Sequence, residues 1–328
     1  MLRFAVCGAG RIGRIHARNI AAHPGASLEY VIDVVESAAA EVAAFGGGRA
    51  AKSLAEALPH VDAVLIASPT PTHVELIEAA AAAGKAIFCE KPIDLDLARV
   101  DRTIEKVNAA GIPFFVGFNR RFDPSFARMK SDIVEGKIGT LEQLAIVSRD
   151  PGPPPVEYIR QSGGLFRDMS IHDFDMVRWI LGEDPVEVYA TASNFVDPAI
   201  EAAGDIDGAV VVLKARSGAL IHITNSRRAV YGYDQRVEAF GSEGMLTVEN
   251  QTDTRVVRWT DAGVSRDKPQ PFFLERYMAA YQAELEHFVD AVGREDGALL
   301  VTAHDGRQAL ALADAALASL KSGQPVKI

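Results

Sequence analysis

Residues 2–13 read LRFAVCGAGRIG: an apolar strand pattern runs directly into three glycines with the spacing G-x-G-x-x-G, and a helical pattern follows. In this strand-turn-helix context each glycine has its own task. Gly8 permits a tight turn, Gly10 lets the backbone approach a pyrophosphate, and Gly13 lets the helix pack closely on the strand. The sequence therefore predicts a βαβ unit with an anion-binding helix N-terminus.

An acidic residue at the end of the second predicted strand, LEYVID (28–33), extends this pattern. Asp33 lies twenty residues after Gly13, where a carboxylate can accept hydrogen bonds from both ribose hydroxyls of NAD. Its charge repels the 2′-phosphate of NADP, and no arginine follows it in VVES (34–37). Glycines alone occur in ordinary turns, but the glycines, the strand and the acid together predict NAD as the cofactor.

Short apolar runs alternate with Ala-rich helical patterns through the first 120 residues. Such alternation is typical of a doubly wound, mostly parallel sheet, here predicted for a dinucleotide-binding domain over residues 1–120. The predicted strands are 2–7, 28–33, 62–68, 86–90 and 113–118, with a short one within 46–52; the predicted helices lie near 12–22, 37–45, 53–58, 71–83 and 96–109. Ser53 and Thr72 have the residue types that cap helix N-termini.

Beyond residue 120 the pattern changes to runs of strand formers separated by turn residues, which predicts an antiparallel or mixed sheet. Because 328 residues exceed the size of a single hydrophobic core, a second domain is expected over residues 121–328. Its predicted strands are 186–193, 208–215, 218–226, 235–242, 244–250 and 255–260, and two helices, 275–292 and 304–320, close the chain.

Charge and cysteine content exclude several classes of protein. The chain has 34 Lys and Arg against 44 Asp and Glu, a net charge of −10, and no basic run longer than a pair, so we expect no nucleic acid or membrane partner. Cys7 and Cys89 lie in apolar strand patterns, and no signal peptide or membrane span is evident, so we expect reduced thiols and a cytoplasmic protein. His16, His60 and His287 have no Cys or His partner at ligand spacing, so no metal site is predicted.

The stretch 163–176, GGLFRDMSIHDFDM, places polar groups inside an otherwise apolar helical pattern. At 3.6 residues per turn Asp168, His172 and Asp175 share one face, and the apolar remainder predicts a helix that is buried nearly all round and ends at Gly182. A carboxylate one turn from a histidine can accept its ring N–H and favour the protonated ring, as a proton acceptor in catalysis requires. A structural Asp–His bond in a core has the same spacing, and the pattern alone leaves both interpretations open.

Polar residues also follow the fourth and fifth predicted strands, as SPTPTH (68–73) and EKP (90–92). Ligands of open α/β sheets bind at the carboxyl ends of the strands, so both segments are expected near the cofactor. Lys91 by itself is typical of a solvated surface lysine. Beside a nicotinamide ring it becomes a candidate catalytic group.

Five motifs together resemble the Gfo/Idh/MocA oxidoreductases, and the resemblance covers essentially the whole chain. They are GAGRIG (8–13), ASPTPTH (67–73), CEKP (89–92), GFNRRFD (117–123) and DMSIHDFD (168–175). The combination of EKP with D-x-x-x-H is specific to this family. SRDP (148–151) and NSRRAVYGYDQR (225–236) further resemble the family members that oxidise inositols.

The resemblance implies an α/β fold with an N-terminal Rossmann domain and a C-terminal α/β domain, whose open, largely antiparallel mixed sheet packs face to face in a homodimer or homotetramer. It implies NAD-dependent oxidation of a secondary hydroxyl of a cyclitol, namely myo-inositol to 2-keto-myo-inositol. One alternative is a sister dehydrogenase that acts on scyllo- or chiro-inositol or on an aldopyranose. The other is a non-catalytic dinucleotide-binding regulator, which should lack the catalytic residues.

Matched position by position, the resemblance makes His172 the general base, Asp168 its partner and Lys91 the group that polarises the reacting hydroxyl. Met169 stands where some family members have a substrate-contacting threonine, which leaves the preferred isomer open. The candidate cofactor-binding residues are Gly8, Gly10, Arg11, Ile12, Gly13, Asp33, Ser68, Pro69, Thr70, His73, Glu90, Lys91 and Asn119. The candidate substrate-binding residues are Lys91, Arg121, Arg149, Asp168, His172, Asp175, Asn225 and Tyr233.

Some of these residues have structural alternatives. Arg121 and its neighbour Arg120 could form a salt-bridge pair at the surface or between domains. Tyr233 could be a packing aromatic. Whether Val210, Val212 and Ile221 belong to the core or to an interface stays open, because the alternation of apolar residues is blurred there.

Overall fold

The computed structural model describes residues 1–294 and 297–328, which form two compact units. The first unit comprises Met1–Phe122 and Ala279–Leu310, and the second comprises Asp123–Met278 and Ala311–Ile328. The chain therefore returns to the first unit late in the sequence. The domain division predicted at residue 120 did not include this return, and the division stays a prediction. Among the described residues no helix is long and apolar enough to cross a membrane.

The first unit is built on a parallel sheet, in the order β3-β2-β1-β4-β5-β6. Its strands are β1 Leu2–Cys7, β2 Ala26–Ile32, β3 Arg49–Ala51, β4 Ala63–Ile66, β5 Ala86–Glu90 and β6 Phe114–Gly117. The connecting helices are α1 Arg11–Ala22, α2 Glu36–Ala43, α3 Leu54–Ala57, α4 His73–Ala82 and α5 Leu97–Ala110, with 3₁₀ turns at Leu58–His60, Thr70–Thr72 and Asn119–Phe122. The parallel sheet predicted from the alternation is confirmed, including its short third strand.

Strand order explains where ligands of this sheet bind. β4 and β6 are buried at every position, as expected for strands covered by helices on both faces. The order reverses next to β1, whose neighbours are β2 on one side and β4 on the other. At such a switch point the loops after the two strands diverge and leave a crevice at their carboxyl ends. The glycine motif after β1 opens this crevice.

Two helices begin at the predicted cap residues but lack the hydrogen bond that such side chains usually make. Ser53 and Thr72 hold the N-cap positions of α3 and α4, but neither side chain makes a capping hydrogen bond. The Thr72 hydroxyl instead donates to the carbonyl oxygen of Pro69 at 2.8 Å. The two predicted cap positions are therefore confirmed, although the caps are not made through the side chains. An aspartate, Asp96, caps α5 by accepting from two backbone N–H groups of its first turn.

The second unit contains a mixed sheet in the order β12-β11-β7-β10-β9-β8-β15, in which β7 and β10 are parallel and the other neighbours antiparallel. Its strands are β7 Leu141–Arg149, β8 Pro185–Ser193, β9 Gly208–Ala215, β10 Leu220–Ser226, β11 Asp234–Gly241, β12 Gly244–Val248 and β15 Val326–Lys327; β13 Val257–Thr260 and β14 Gly263–Arg266 form a separate hairpin. The helices from α6 onward are α6 Pro124–Val134, α7 Val156–Ser162, α8 Gly164–Asp168, α9 Ser170–Leu181, α10 Pro198–Ala202, α11 Phe273–Arg276, α12 Met278–Val292 and α13 Ala303–Ser322.

The predicted mixed α/β architecture is confirmed, and the structure resolves the question about its sheet faces. Ile221 is buried at 1% exposure, whereas Val210 and Val212 are 41% and 44% exposed. The sheet therefore has one core face and one open face. The central strand β7 escaped the sequence prediction, because the exposed Glu142 and Gln143 follow Leu141 and the alternation of buried residues starts only at Leu144.

The predicted Asp–His helix is two helices. α8 ends at Asp168 and α9 begins at Ser170, and at the junction the N–H of His172 donates to the carbonyl oxygen of Met169 at 3.3 Å, one residue tighter than in an α-helix. The single helix is therefore wrong, although Gly182 ends α9 in a left-handed conformation as predicted. Full burial of the pair is wrong too: Asp168 and His172 are only partly buried, while Asp175 is buried.

Candidate active site

The glycine turn after β1 has the geometry that the motif predicts. Gly8 has a φ of +105°, and a Cβ there would lie 2.5 Å from the carbonyl oxygen of Ala67. A Cβ on Gly13 would lie 1.9 Å from the carbonyl oxygen of Gly8, whereas a Cβ on Gly10 would meet open space. Packing thus requires the first and third glycines. The second faces a space in which a ligand can approach the backbone.

Asp33 lies directly beside this turn. Its Oδ2 accepts from the N–H of Ala9 at 2.7 Å, and its Oδ1 accepts from the N–H of Val35 at 2.8 Å. No side chain caps the N-terminus of α1 at Gly10. The first backbone N–H groups and the positive end of the helix dipole can therefore interact with an anion at the turn. A helix N-terminus for phosphates next to a carboxylate for ribose hydroxyls fits a dinucleotide such as NAD.

The loops after β4 and β5 are joined by His73. This residue is buried, with Nδ1 2.8 Å from the carbonyl oxygen of Pro92 and Nε2 2.8 Å from that of Ser68. Burial lowers the pKa of the imidazole, and the two carbonyl oxygens oppose that shift. His73 thus organises the loops that carry Ser68 and Lys91. Its direct contact with a cofactor stays a prediction.

The other candidate cofactor residues lie at the same carboxyl edge of the sheet. Arg11 and Ile12 begin α1, Pro69 and Thr70 lie in the loop after β4, Glu90 ends β5, and the partly buried Lys91 follows it. Asn119, just after β6, is buried, and its side-chain nitrogen has no hydrogen-bond partner within the described residues. A buried donor of this kind is suited to a ligand.

Arg121 forms an ion pair within the first unit. Its guanidinium donates to Oδ1 of Asp305 and to the carbonyl oxygen of Leu300, both at 2.9 Å. Burial opposes ionisation of Asp305, but the charge of Arg121 and hydrogen bonds from Thr302 outweigh it and hold the pKa of Asp305 at about 2. Arg121 therefore forms an ion pair, but the pair is largely buried and lies within one unit, not at the surface or between domains as the alternative had it. A direct contact between Arg121 and substrate stays a prediction.

In the second unit, Asp168 is held by residues that the sequence analysis did not select. Its Oδ1 accepts from the hydroxyl of Tyr158 at 3.0 Å, and its Oδ2 lies 3.9 Å from Nη1 of Arg227. Arg227 is fully buried and also lies 3.6 Å from Oδ2 of Asp205. The Tyr158 hydroxyl and the buried Arg227 guanidinium thus hold the Asp168 side chain in place. This carboxylate lies four residues before His172, across the junction of α8 and α9, and its partnership with His172 stays a prediction.

Asn225 supports the helix that carries His172. The amide is buried; its oxygen accepts from the hydroxyl of Ser170 at 2.7 Å, and its nitrogen donates to Oδ2 of Asp173 at 2.7 Å. Asp173 is fully buried. The helical pattern did not single it out, because it does not share the face of His172 and Asp175. The bonds of Asn225 run to α9, so a direct contact with substrate stays a prediction.

Arg149, at the end of β7, lies in a polar cluster. Its Nη1 donates to the hydroxyl of Tyr231 at 3.0 Å, and that hydroxyl donates to Oδ2 of Asp234 at 2.6 Å. Tyr233 is buried, and its ring packs edge-on against Tyr277 with centroids 6.0 Å apart. The packing alternative for Tyr233 thus describes this ring contact.

Two models of the same family match the chain in succession. Residues 2–118 match the oxidoreductase family model for the NAD-binding Rossmann fold, and residues 130–328 match the model for the C-terminal α/β domain. Together the two models cover nearly the whole chain.

Relatives with similar sequences and structures match over the full length. The inositol 2-dehydrogenase of Rhizobium meliloti (strain 1021) is 47% identical, covering 100% of this chain and 99% of that protein, and the myo-inositol 2-dehydrogenase of Thermotoga maritima is 48% identical, with 100% and 98% covered. A myo-inositol dehydrogenase structure from Corynebacterium glutamicum superposes with a TM-score of 0.96 at 44% identity, covering 100% of this chain and 99% of that one. The scyllo-inositol dehydrogenase of Lactobacillus casei with bound NAD(H) and scyllo-inositol gives 0.92 at 30% identity, with the same coverage. The chain belongs to the Gfo/Idh/MocA family of NAD-binding oxidoreductases.

Proposed function

We propose that this protein is an NAD-dependent inositol 2-dehydrogenase that oxidises myo-inositol to 2-keto-myo-inositol. The observation that carries the proposal is that Lys91, Asp168 and His172 are all present in a chain that matches myo-inositol dehydrogenases over its full length. A regulator that had lost catalysis would have no need of this set.

The cofactor residues of the proposal belong to the first unit. The turn at Gly8, Gly10 and Gly13 would hold the pyrophosphate at the N-terminus of α1, and Asp33 would accept the ribose hydroxyls. When bound, NAD supplies the nicotinamide carbon that accepts a hydride. Ser68, Thr70, Glu90 and Asn119 would line the nicotinamide side.

The catalytic residues carry out the proton transfer that accompanies this oxidation. His172 would remove the proton from the reacting hydroxyl, and the Asp168 carboxylate would stabilise the resulting imidazolium. Arg227 and Tyr158 support this role because they hold the Asp168 side chain in place. The ammonium group of Lys91 would donate to the oxygen as it gains negative charge.

The remaining candidates would recognise the other hydroxyls of the ring. Arg149 and Asp175 are the direct contacts that we propose. For Arg121, Asn225 and Tyr233 we propose a positioning role, because each is buried against its protein partners, whereas Arg149 is only partly buried.

A second candidate, scyllo-inositol, is favoured by one observation. A similar structure, at 30% identity, is a scyllo-inositol dehydrogenase that holds both its cofactor and scyllo-inositol. Steady-state NADH or NADPH production with myo-, scyllo- and chiro-inositol and D-glucose, each with NAD and NADP, separates the candidates. We expect the highest kcat/KM with NAD and myo-inositol. Tight NAD binding without turnover of any polyol would contradict an enzymatic function.

We further propose a cytoplasmic homo-oligomer, a dimer or tetramer formed through the open face of the second sheet. This face exposes large apolar side chains, a pattern typical of an interface: Tyr189, Val210, Val212, Leu220, Phe240 and Met245. The free, buried thiols of Cys7 and Cys89 support a reducing compartment. Light scattering of the purified protein measures the subunit number, and a monomer at micromolar concentration would contradict the oligomer.

A further inference from the structure

Three ionisable side chains meet inside the first unit. They are His16 on α1, Glu90 at the end of β5 and Glu284 on α12. Nε2 of His16 lies 2.7 Å from Oε1 of Glu90 and 3.9 Å from Oε1 of Glu284. The nearest oxygen or nitrogen atoms of all three lie within 4.8 Å of one another. Since the residues are far apart in sequence, their spacing gave no sign of the cluster.

The cluster is enclosed by apolar rings. The imidazole of His16 lies edge-on to Phe88 and Tyr281, with centroids 4.9 Å and 5.7 Å away. His16 and Glu284 are 0% exposed, and the Glu90 side chain is 12% exposed. Charges here are shielded from bulk water, so each proton position must be compatible with the neighbouring groups.

The hydrogen-bond donors and acceptors of the cluster indicate that Glu284 carries a proton. Both oxygens of Glu284 are buried without a hydrogen-bond partner among the described residues. Burial raises the pKa of Glu284 well above its usual range, and the negative charge of Glu90 raises it further. Among the described residues, the titratable groups of this cluster are His16 from α1 and Glu90 from β5, and Tyr281 of α12 packs on the His16 ring. None of them is a permanent cation that would stabilise an ionised Glu284.

A metal ion would also fill such a cluster, but the histidine argues against it. Metal-binding histidines donate their second ring N–H to a carboxylate, carbonyl or water. Nδ1 of His16 is buried and has no partner within the described part of the chain. With its proton on Nε2, the ring donates to Glu90, and Nδ1 carries no N–H that would need an acceptor.

We propose that Glu284 is held as a neutral carboxylic acid that donates its proton to the Glu90 carboxylate, and that this bond and the one from His16 position the end of β5 that carries Lys91. An oxygen of Glu284 lies within 4.8 Å of Glu90, so this bond requires a small shift of the Glu284 side chain. Glu90 then accepts two hydrogen bonds, which fix the backbone immediately before Lys91. The second half of this inference rests on the proposed catalytic role of Lys91.

Two substitutions of Glu284 distinguish the effect of its hydrogen-bond donor from the effect of its side-chain volume. Glu284→Gln keeps an N–H donor for Glu90, whereas Glu284→Met keeps similar volume without one. We expect Glu284→Gln to retain kcat within about twofold and Glu284→Met to lower it about tenfold or more, since small displacements of a reacting group are costly. Phe288→Leu is the control: it lies one turn further along α12 and packs on Phe4 and Phe88, so it should lower stability without changing kcat.

The protonation state of Glu284 is tested by two measurements that do not depend on activity. Infrared spectra of the wild type at pH 7 should contain a protonated-carboxyl band that is absent from Glu284→Gln. Because folding raises the pKa of Glu284 from 4.5, the folded wild type should lose stability relative to Glu284→Gln as pH rises above that value. Parallel pH profiles or the absence of the band would overturn the neutral acid. A stoichiometric metal in the wild type that Glu284→Gln loses would overturn it too.

The protonation of Glu284 and its role in positioning Lys91 can be contradicted independently of each other. Equal losses of kcat in Glu284→Gln and Glu284→Met, with the infrared band present, would overturn positioning through the donor. Unchanged turnover in Lys91→Met would overturn the catalytic role of Lys91, and with it positioning, while the infrared result would still decide the proton.

Discussion

At the scale of single residues, Asp168 lies near a residue from a distant part of the sequence. Helical spacing within one segment predicts Asp168 as the partner of His172, and this stays a prediction. Spacing did not identify Arg227, whose contact with Asp168 depends on how β10 and the segment after it fold against α8. Pairs of residues within one helix can be predicted from a sequence, whereas pairs formed by tertiary packing require the structure.

Replacing His172 by alanine tests its role as the base. We expect kcat for myo-inositol to fall by about 10² to 10⁴, the usual worth of general-base catalysis. NAD binding, measured by calorimetry, should be unchanged, because the cofactor motif belongs to the first unit. Turnover at the wild-type rate would remove His172 from the mechanism.

Replacing Arg227 by methionine tests its support of Asp168. The change leaves Asp168 and Asp205 without their buried cation, so we expect a loss of about 3 kcal/mol in the free energy of unfolding and a lower kcat. Arg228→Met is the matched control, since Arg228 is the exposed next residue. Urea denaturation and steady-state kinetics measure both effects, and equal behaviour of the two variants would contradict the assignment.

At the scale of helices and strands, the sequence predicted the first unit more closely than the second. Parallel strands with helices on both faces leave long apolar runs, so β1, β4 and β5 were visible as patterns. In the second unit β7 was missed because Glu142 and Gln143 near its start are polar and exposed. The break between α8 and α9 was missed because the residues on either side keep one helical periodicity.

The ion pair that links the turn after β6 to α13 should make stability depend on pH. The pKa of Asp305 falls from 3.8 to about 2 on folding, so the pair stabilises the protein by about 2 kcal/mol at pH above 3.8 and loses this contribution as pH falls through about 2. We therefore expect Asp305→Asn to be destabilised at pH 7 and the difference from wild type to shrink between pH 4 and pH 2.

Urea denaturation across this pH range measures the effect. Asp101→Asn is the control, since the exposed pair of Asp101 with Arg307 in α13 should contribute little. A difference between Asp305→Asn and wild type that is constant with pH would contradict the assignment to Asp305.

At the scale of the whole molecule, the family motifs are distributed over both units, which is why the family could be recognised from the sequence. The return of Ala279–Leu310 to the first unit could not be predicted, because it depends on which surface α12 covers. In the structure Phe288 of α12 packs on Phe4 and Phe88 of the parallel sheet. The buried cluster at Glu284 follows from the same packing.

The central claim is that the protein transfers a hydride from a cyclitol carbon to NAD. The most direct measurement is to incubate the enzyme with NAD and myo-inositol deuterated at C2, and to analyse both products by mass spectrometry. We predict one deuterium in each NADH and an undeuterated 2-keto-myo-inositol. NADH without deuterium, or no ketone at all, would contradict the account.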